Sequence, residues 1–228
     1  MSKHLQRDLD YLQRDILAMA GLVELNIHKS IRALSERNID MAREVIRGES
    51  QIDGEENHID EECLKMLALH QPVAVDLRRI TAAMMIVVDL ERMGDLAEEI
   101  AERALQLARP PYFPIPERLQ RMTDLTTTMV RQSLDAFVNL NVHQARIVHR
   151  LDDEVDHYND LIIQEIMQTM KRSPELIEAG LSLFSATRHL ERIADHATNI
   201  AEDVIYLVEG EIVRHRPAAV GGNERDES

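Results

Sequence analysis

The chain has 228 residues, of which 44% are hydrophobic and only 3% aromatic, with 8 glycines and 7 prolines. So few turn-forming and aromatic residues argue against an all-β sandwich or barrel, and the apolar content excludes a disordered chain. The 41 acidic residues outnumber the 26 basic ones and give a net charge of −15. This charge argues against nucleic acid as a partner, because phosphates would be repelled. The composition predicts an all-α protein.

The sequence contains no segment typical of a membrane span or an export signal. Its longest apolar run, residues 82–88, has seven residues, whereas a transmembrane helix needs about 20. Residues 1–8 lack an apolar core. The single cysteine, Cys63, has no internal disulfide partner and suits a reducing compartment. These features predict a cytoplasmic protein without membrane insertion.

The first half has a helical pattern that is interrupted twice. Residues 5–71 contain no proline, and a polar dip indicates a break at which Asn38 or Asp40 caps the next helix. Pro72 ends the second helix, since the residue before a proline disfavours the helical region. We expect the third helix to span about residues 76–108.

A proline-rich segment separates the two halves. Residues 109–116 contain four prolines and predict a stiff, extended linker. Beyond it we expect a helix to about residue 139, a break near Asn141, and a helix to about residue 171. Ser173 is the expected cap of the last helix, with Pro174 in its first turn. Residues 210–228 lose the pattern and are predicted to form a flexible tail.

The second half repeats the first. Residues 91–102 return as residues 191–202, and earlier in each half the offset is 103, so that Asn38 matches Asn141. The change of offset falls in a turn, where length varies freely. The predicted fold is therefore all-α, with six long helices in two tandem, duplicated three-helix bundles. The first bundle spans residues 1–108, the linker 109–116 and the second bundle 117–209.

Apolar residues spaced by three and four form one stripe along the third helix and another along the sixth. This spacing predicts a continuous buried face on each helix. The stripes are Ile86, Leu90, Met93, Ala97, Ile100, Ala104 and Leu107, and then Ala186, Leu190, Ile193, Ala197, Ile200, Val204 and Leu207.

Acidic pairs one helical turn apart recur at matching positions of both halves. Two carboxylates at this spacing repel each other, at a cost of a few tenths of a kcal/mol in an isolated helix. Two adjacent helices with such pairs would offer four carboxylates to one hard cation, which favours Mg, Mn, Ca or Fe over a structural zinc. Alternatively, the acids are solvated or paired with nearby arginines. The pairs are Glu49 with Asp53, Glu91 with Asp95, Asp152 with Asp156, and Glu191 with Asp195.

Other candidate residues point to packing rather than chemistry. Gly94, in mid-helix beside an acidic pair, indicates a close helix approach or room for an ion. His189 and His196 are interpreted as surface or packing residues, and Cys63 as a helix-packing residue. Two Glu-x-x-His pairs match the spacing of di-iron helices, but they occupy positions that are not equivalent in the repeat. These pairs are Glu55 with His58, and Glu154 with His157. No catalytic motif is found, so an enzyme is not expected.

The sequence resembles the PhoU family. In the second half the resemblance lies in residues 190–202 and 206–211, and in the first half in residues 71–78 and 89–95. It covers about residues 5–215 in the same order and with the same duplication. One departure is Ala194, where the family usually has glycine; it leaves the carboxylates intact.

The resemblance implies two three-helix bundles and a cytoplasmic accessory protein of a phosphate transporter. Family members form dimers and act as negative regulators of the phosphate-starvation response. They are thought to relay the transporter's state to a membrane sensor histidine kinase. The family's repeated acidic motifs line metal sites, and their positions here are the eight acidic residues named above.

We therefore expect a regulatory adaptor with metal-binding carboxylate clusters. The main alternative is a ferritin-like helical metal-dependent enzyme or oxidase, which would need inward-facing Glu-x-x-His pairs at equivalent positions. A structural coiled-coil protein is a third interpretation, against which the short turns and the proline-rich linker argue. The sequence does not distinguish which divalent or trivalent ion is bound, whether Fe, Mn, Mg, Zn or Ca.

Overall fold

Six long α-helices make up the fold. The computed structural model describes residues 3–210, and that part of the chain contains no β-strand. This confirms the predicted all-α class. None of the helices in this range is long and apolar enough to cross a membrane. In chain order the helices are α1 (Lys3–Glu36), α2 (Ile39–His70), α3 (Val75–Leu107), α4 (Arg118–Asn139), α5 (Val142–Arg172) and α6 (Ile177–Glu209).

Asparagine caps open the second helix of each half. The Asn38 side chain accepts a hydrogen bond from the backbone N–H of Met41 at 3.1 Å. The Asn141 side chain does the same for the backbone N–H of Gln144, also at 3.1 Å. Each cap satisfies a backbone donor that lacks an intrahelical partner. Of the two caps predicted for α2, Asn38 is the one used, and the repeat preserves it as Asn141.

The last helix begins differently from the prediction. Pro174–Leu176 form a short 3₁₀ helix before α6, and the Ser173 side chain makes no capping hydrogen bond. The Leu176 N–H instead donates to the Ser173 backbone carbonyl at 2.9 Å. The tight 3₁₀ turn thus uses a backbone acceptor for the N–H that the serine hydroxyl was expected to satisfy.

The three helices of each half pack against one another, and the halves meet through α3 with α6 and α1 with α4. The most extensive of these contacts is between α3 and α6. Both predicted apolar stripes are buried along their whole length, which confirms the helical periodicity. One hydrophobic core contains side chains from all six helices.

Helices α3 and α6 run antiparallel with a local two-fold relationship. Asp89 lies 3.3 Å from Asn199, and Gln106 further along α3 lies 2.9 Å from Ser182, near the start of α6. Glu99 lies 2.9 Å from His189. In the 100-residue repeat Asp89 corresponds to His189, and Glu99 corresponds to Asn199. The Asp89–Asn199 and Glu99–His189 contacts are therefore equivalent to each other. The duplication is therefore visible at the interface between the halves.

The proline-rich segment contains no helix and is held by both halves. Phe113 is buried, and its backbone carbonyl accepts a hydrogen bond from Arg37 in the α1–α2 turn at 2.9 Å. A Cβ built on Gly180 of α6 would lie 2.7 Å from the Met170 side chain and 2.9 Å from the Phe113 ring. The absence of a side chain at Gly180 therefore lets both residues pack against α6. The predicted tail begins at Gly210, and the rest of it lies outside the described residues.

Candidate functional site

The structure brings together the two predicted acidic pairs of the first half. Helix α2 carries Glu49 and Asp53, and the neighbouring α3 carries Glu91 and Asp95. The charge of Asp95 acts on Glu49, and the charge of Asp53 acts on Glu91. All four side chains are partly buried. The pairs therefore form one acidic surface at the junction of α2 and α3.

Two further glutamates belong to this surface. The charge of Asp95 acts on Glu56 of α2, and the charge of Asp53 acts on Glu98 of α3. Each lies seven residues after the first member of its helix's pair, which places it on the same stripe two turns further along. That spacing was available in the sequence but was not used to predict them. The first cluster comprises Glu49, Asp53, Glu56, Glu91, Asp95 and Glu98.

Burial and mutual repulsion raise the pKa values of the glutamates in the first cluster. A hydrogen bond between the Glu49 and Asp53 carboxyls, partial burial and the neighbouring charges raise the pKa of Glu49 to about 7. Partial burial and then Asp95 raise the pKa of Glu91. Arg92 offsets part of this charge, since its Nη1 donates to Asp95 at 3.0 Å and its Nε lies 3.4 Å from Glu91. The single charge of Arg92 offsets only a small part of the negative charge of these six carboxylates.

The predicted pairs of the second half also come together. The charges of Asp156 and Asp195 act on Asp152, and burial together with these charges raises the pKa of Asp152 to about 7. Burial and then Asp195 raise the pKa of Glu191. Arg188 donates to Glu191 Oε1 at 2.8 Å. The second cluster comprises the four predicted acids, Asp152, Asp156, Glu191 and Asp195.

Both clusters contain a buried carboxylate oxygen that accepts no hydrogen bond. These atoms are Oε2 of Glu91, which lies 3.4 Å from the cationic Arg92 Nε, and Oε2 of Glu191. The two atoms are equivalent in the repeat. Carboxylate oxygens in partly buried positions are the donors that hard cations prefer. Among residues 3–210, however, no three Asp, Glu, His or Cys side chains already converge as ligands of one ion. The donor chemistry fits a hard cation, and its binding would have to draw the side chains together.

The two histidines near the second acidic pair contact the first half. His196 Nδ1 lies 2.8 Å from Asp89 Oδ1, and His189 Nδ1 lies 2.9 Å from Glu99 Oε2. They therefore help to join α3 to α6, in agreement with the packing role predicted for them. Cys63 is fully buried, as the predicted packing role requires.

The Glu-x-x-His pairs are not arranged as di-iron ligands. His58 is exposed and lies 3.9 Å from Asp15 of α1. Glu154 and His157 are both exposed on α5. A di-iron site of the ferritin type needs these side chains to project into the bundle, so the structure disfavours that arrangement.

Comparison with known proteins gives matches along nearly the whole chain. A family model described as the PhoU domain matches residues 16–104 and 119–204, one segment in each half. The phosphate-specific transport system accessory protein PhoU of Escherichia coli K12 is 31% identical over 230 residues, which cover 99% of this chain and 94% of that protein. A PhoU homologue from Aquifex aeolicus is 41% identical over 92% of this chain and 95% of its own length.

Two solved structures share the fold. PhoU from Pseudomonas aeruginosa superposes with a TM-score of 0.84 at 37% identity and covers 90% of this chain and 99% of its own. The phosphate transport system regulatory protein PhoU from Streptococcus pneumoniae gives a TM-score of 0.86 at 32% identity, over 92% and 99% of the two chains. Both halves and their arrangement are therefore shared.

Proposed function

The chain belongs to the PhoU family of phosphate transport accessory proteins, and from this premise we propose that it is a negative regulator of the phosphate-starvation response. It acts as an adaptor on the cytoplasmic side of the membrane. When phosphate is plentiful, it transmits the state of a phosphate transporter to a sensor histidine kinase and restrains that kinase. It works as a homodimer.

The observation that carries this proposal is the match of both halves, in order, to accessory and regulatory proteins. The relatives are named for a phosphate-specific transport system, and the matched region covers 94% of the Escherichia coli protein. A duplicated scaffold retained at this coverage supports a shared role rather than a shared fold alone.

An adaptor fits the structure better than an enzyme does. The relatives carry the names of accessory and regulatory proteins. The acidic residues lie in two clusters on the helix surfaces, and Glu154 and His157 are exposed on α5 instead of facing a bundle interior. This arrangement argues against the ferritin-like oxidase considered as the alternative.

The adaptor is proposed to bind metal ions at its acidic clusters. The candidate ligands are Glu49, Asp53, Glu91 and Asp95 in the first half, and Asp152, Asp156, Glu191 and Asp195 in the second. Support comes from the oxygen-only donor sets, the raised pKa of Glu49 and Asp152, and the two buried carboxylate oxygens without hydrogen bonds. A divalent or trivalent cation would relieve the repulsion within each cluster.

Deletion in the native host tests the regulatory role. We expect a phosphate-starvation reporter to be switched on in phosphate-replete medium when the gene is deleted, and to be repressed again when the wild-type gene is restored. Immunoblotting confirms that the restored protein accumulates. Unchanged reporter expression in the deletion strain would contradict the proposal.

A second arm of the same assay addresses the clusters. The gene is restored with Glu91→Gln and Asp95→Asn, and in parallel with Glu191→Gln and Asp195→Asn. If bound cations are needed for regulation, a variant that folds normally by circular dichroism will fail to repress the reporter. Full repression by both variants would separate the regulatory role from metal binding.

A further inference from the structure

The two acidic clusters differ at two positions that the repeat makes equivalent. Glu56 of α2 corresponds to Asn159 of α5, and Glu98 of α3 corresponds to Thr198 of α6. Six carboxylates interact across α2 and α3, but four do so across α5 and α6. Neutral oxygens therefore stand in the second cluster where the first has carboxylates.

An additional arginine reduces the charge of the second cluster further. Arg188 of α6 donates to Glu191 at 2.8 Å, and its charge also acts on Asp156 of α5. The equivalent residue in the first half is Val88. The acids that flank the clusters do not restore the balance. Asp60 adds charge beside Glu56 as Asp160 does beside Asp156. Asp153, which acts on Asp152 and Asp156, is offset in the first half by Glu99, which acts on Glu98. The first cluster consequently holds the larger excess of negative charge.

Asn159 is a buried polar residue without a partner for its oxygen. It is only 3% exposed, and its Oδ1 accepts no hydrogen bond. It lies seven residues after Asp152 and three after Asp156, on the same stripe of α5. An amide oxygen in such a position is costly unless something pairs with it.

Oε2 of Glu191 is a second buried oxygen of this cluster without a hydrogen bond. It carries lone pairs but has no donor, so a cation satisfies it better than another acceptor would. The hydroxyl of Thr198, on the Glu191–Asp195 stripe of α6, lies close enough to interact with the Asp152 carboxylate, so its oxygen belongs to the same group. Amide, hydroxyl and carboxylate oxygens together form a ligand set that divalent cations such as Ca²⁺ and Mg²⁺ accept.

We propose that the second cluster is a mixed-oxygen site for one divalent cation, in which Asn159 is a ligand beside Asp152, Asp156 and Glu191. The first cluster is an all-carboxylate site that binds the same cation more tightly. This inference rests on the proposed metal binding at both clusters and assigns them different strengths. It follows from the charge excess, since ligand charge sets the affinity of oxygen sites for divalent cations.

A purely structural Asn159 makes a different prediction. If the amide only fills space, replacement by leucine removes an unpaired buried polar group and leaves the protein equally or more stable. Cation binding would then be unchanged. As a ligand, Asn159 contributes to the cation-bound state alone, so the same substitution weakens binding.

Titration with Mn²⁺, followed through the electron paramagnetic resonance signal of the free ion, separates these cases. We expect two classes of site in the metal-stripped wild-type protein. Glu91→Gln with Asp95→Asn removes the tighter class. Asn159→Leu weakens the other class by about tenfold or more and leaves the tighter class unchanged. Thermal unfolding without cation confirms that each variant is folded.

Reciprocal exchange at the equivalent positions provides the matched control. Asn159→Glu strengthens the weaker class, and Glu56→Asn weakens the tighter one. The inference is overturned if Asn159→Leu and Asn159→Glu leave both classes unchanged, or if the first-cluster variant removes the weaker class. A wild-type protein that binds no Mn²⁺ overturns the metal assignment altogether, whereas the reporter assay decides the regulatory role independently.

Discussion

Asp89 of α3 and His196 of α6 connect the two halves of the molecule. The Asp89 carboxylate is nearly buried, and its Oδ1 lies 2.8 Å from His196 Nδ1 and 3.3 Å from Asn199 Nδ2. One aspartate of the first half thus accepts hydrogen bonds from two side chains of the second. Because these groups lie at the most extensive interhelical contact, they help to define how the bundles are oriented.

Loss of the Asp89 carboxylate should destabilise the whole protein. We expect Asp89→Ala to lower the free energy of unfolding by about 1–3 kcal/mol, since the donors of His196 and Asn199 would lose a buried acceptor. Urea denaturation followed by circular dichroism measures this. Asp89→Asn, which keeps one acceptor oxygen, should cost less. An unchanged denaturation midpoint for Asp89→Ala would contradict the role assigned to this carboxylate.

Gly94 and Ile52 form a close contact between α3 and α2. A Cβ added at Gly94 would lie 2.9 Å from Ile52 Cδ1 and 3.2 Å from its Cγ2. Of the two predicted explanations for this glycine, the structure therefore supports close helix approach. In the second half the equivalent residues are Ala194 and Val155. Ala194 thus has one methyl group more than Gly94, and Val155 has one fewer than Ile52.

This exchange predicts strong coupling between two substitutions. Gly94→Ala alone should destabilise the protein by about 1 kcal/mol, because overpacking outweighs the gain in helix propensity. Ile52→Val alone should also cost about 1 kcal/mol. Combined, they should restore stability close to that of the wild type, which a double-mutant cycle in urea will show. If the two losses of stability simply add, the contact with Ile52 is not what requires a glycine at position 94.

The cation-free protein should lose stability as the pH rises. The pKa values of Glu49 and Asp152 are raised to about 7 in the folded chain, from ordinary values of 4.5 and 3.8. Both groups bind protons more tightly when folded, so their contribution is fully present below the ordinary values and is lost as the pH rises through about 7. We expect Tm in the presence of a chelator to fall between about pH 5 and pH 8.

The control for this pH dependence is Glu49→Gln combined with Asp152→Asn, which should flatten the decline in Tm. Addition of Mn²⁺ at about pH 8 should raise the wild-type Tm, because a ligand that binds only the folded state stabilises it. A Tm that rises with pH over this range in the chelated wild type would be incompatible with the proton affinities assigned to the clusters.

Cys63 should be unreactive in the native protein. The thiol is fully buried in the core, and burial with the charges of Asp60 and Glu62 raises its pKa to about 12. Very little thiolate exists at neutral pH, and the thiolate is the reactive form. Labelling with a thiol-specific disulfide reagent should be at least about tenfold slower in buffer than in denaturant. Equal rates would indicate that the core around α2 opens readily.

The acidic clusters show how far local spacing predicts a site. The four predicted pairs could be found because residues one turn apart share a helix face. Glu56 and Glu98 were not predicted, although the same rule extended by one more turn would have found them. The difference between Asn159 and Glu56, however, acquires meaning only when the burial of the amide and the position of Arg188 are known.

The sequence by itself determined the six helices, their breaks and the duplication, because apolar periodicity, proline and asparagine caps act through neighbouring residues. It also determined which residues could form acidic pairs. Only the tertiary structure decided that α3 and α6 run antiparallel, that Asp89 contacts His196, and that Arg188 offsets part of the charge of the second cluster. Those relationships depend on the packing of helices distant in the chain. The same dependence explains Ser173, whose hydroxyl is replaced as a cap by a backbone acceptor in the 3₁₀ turn.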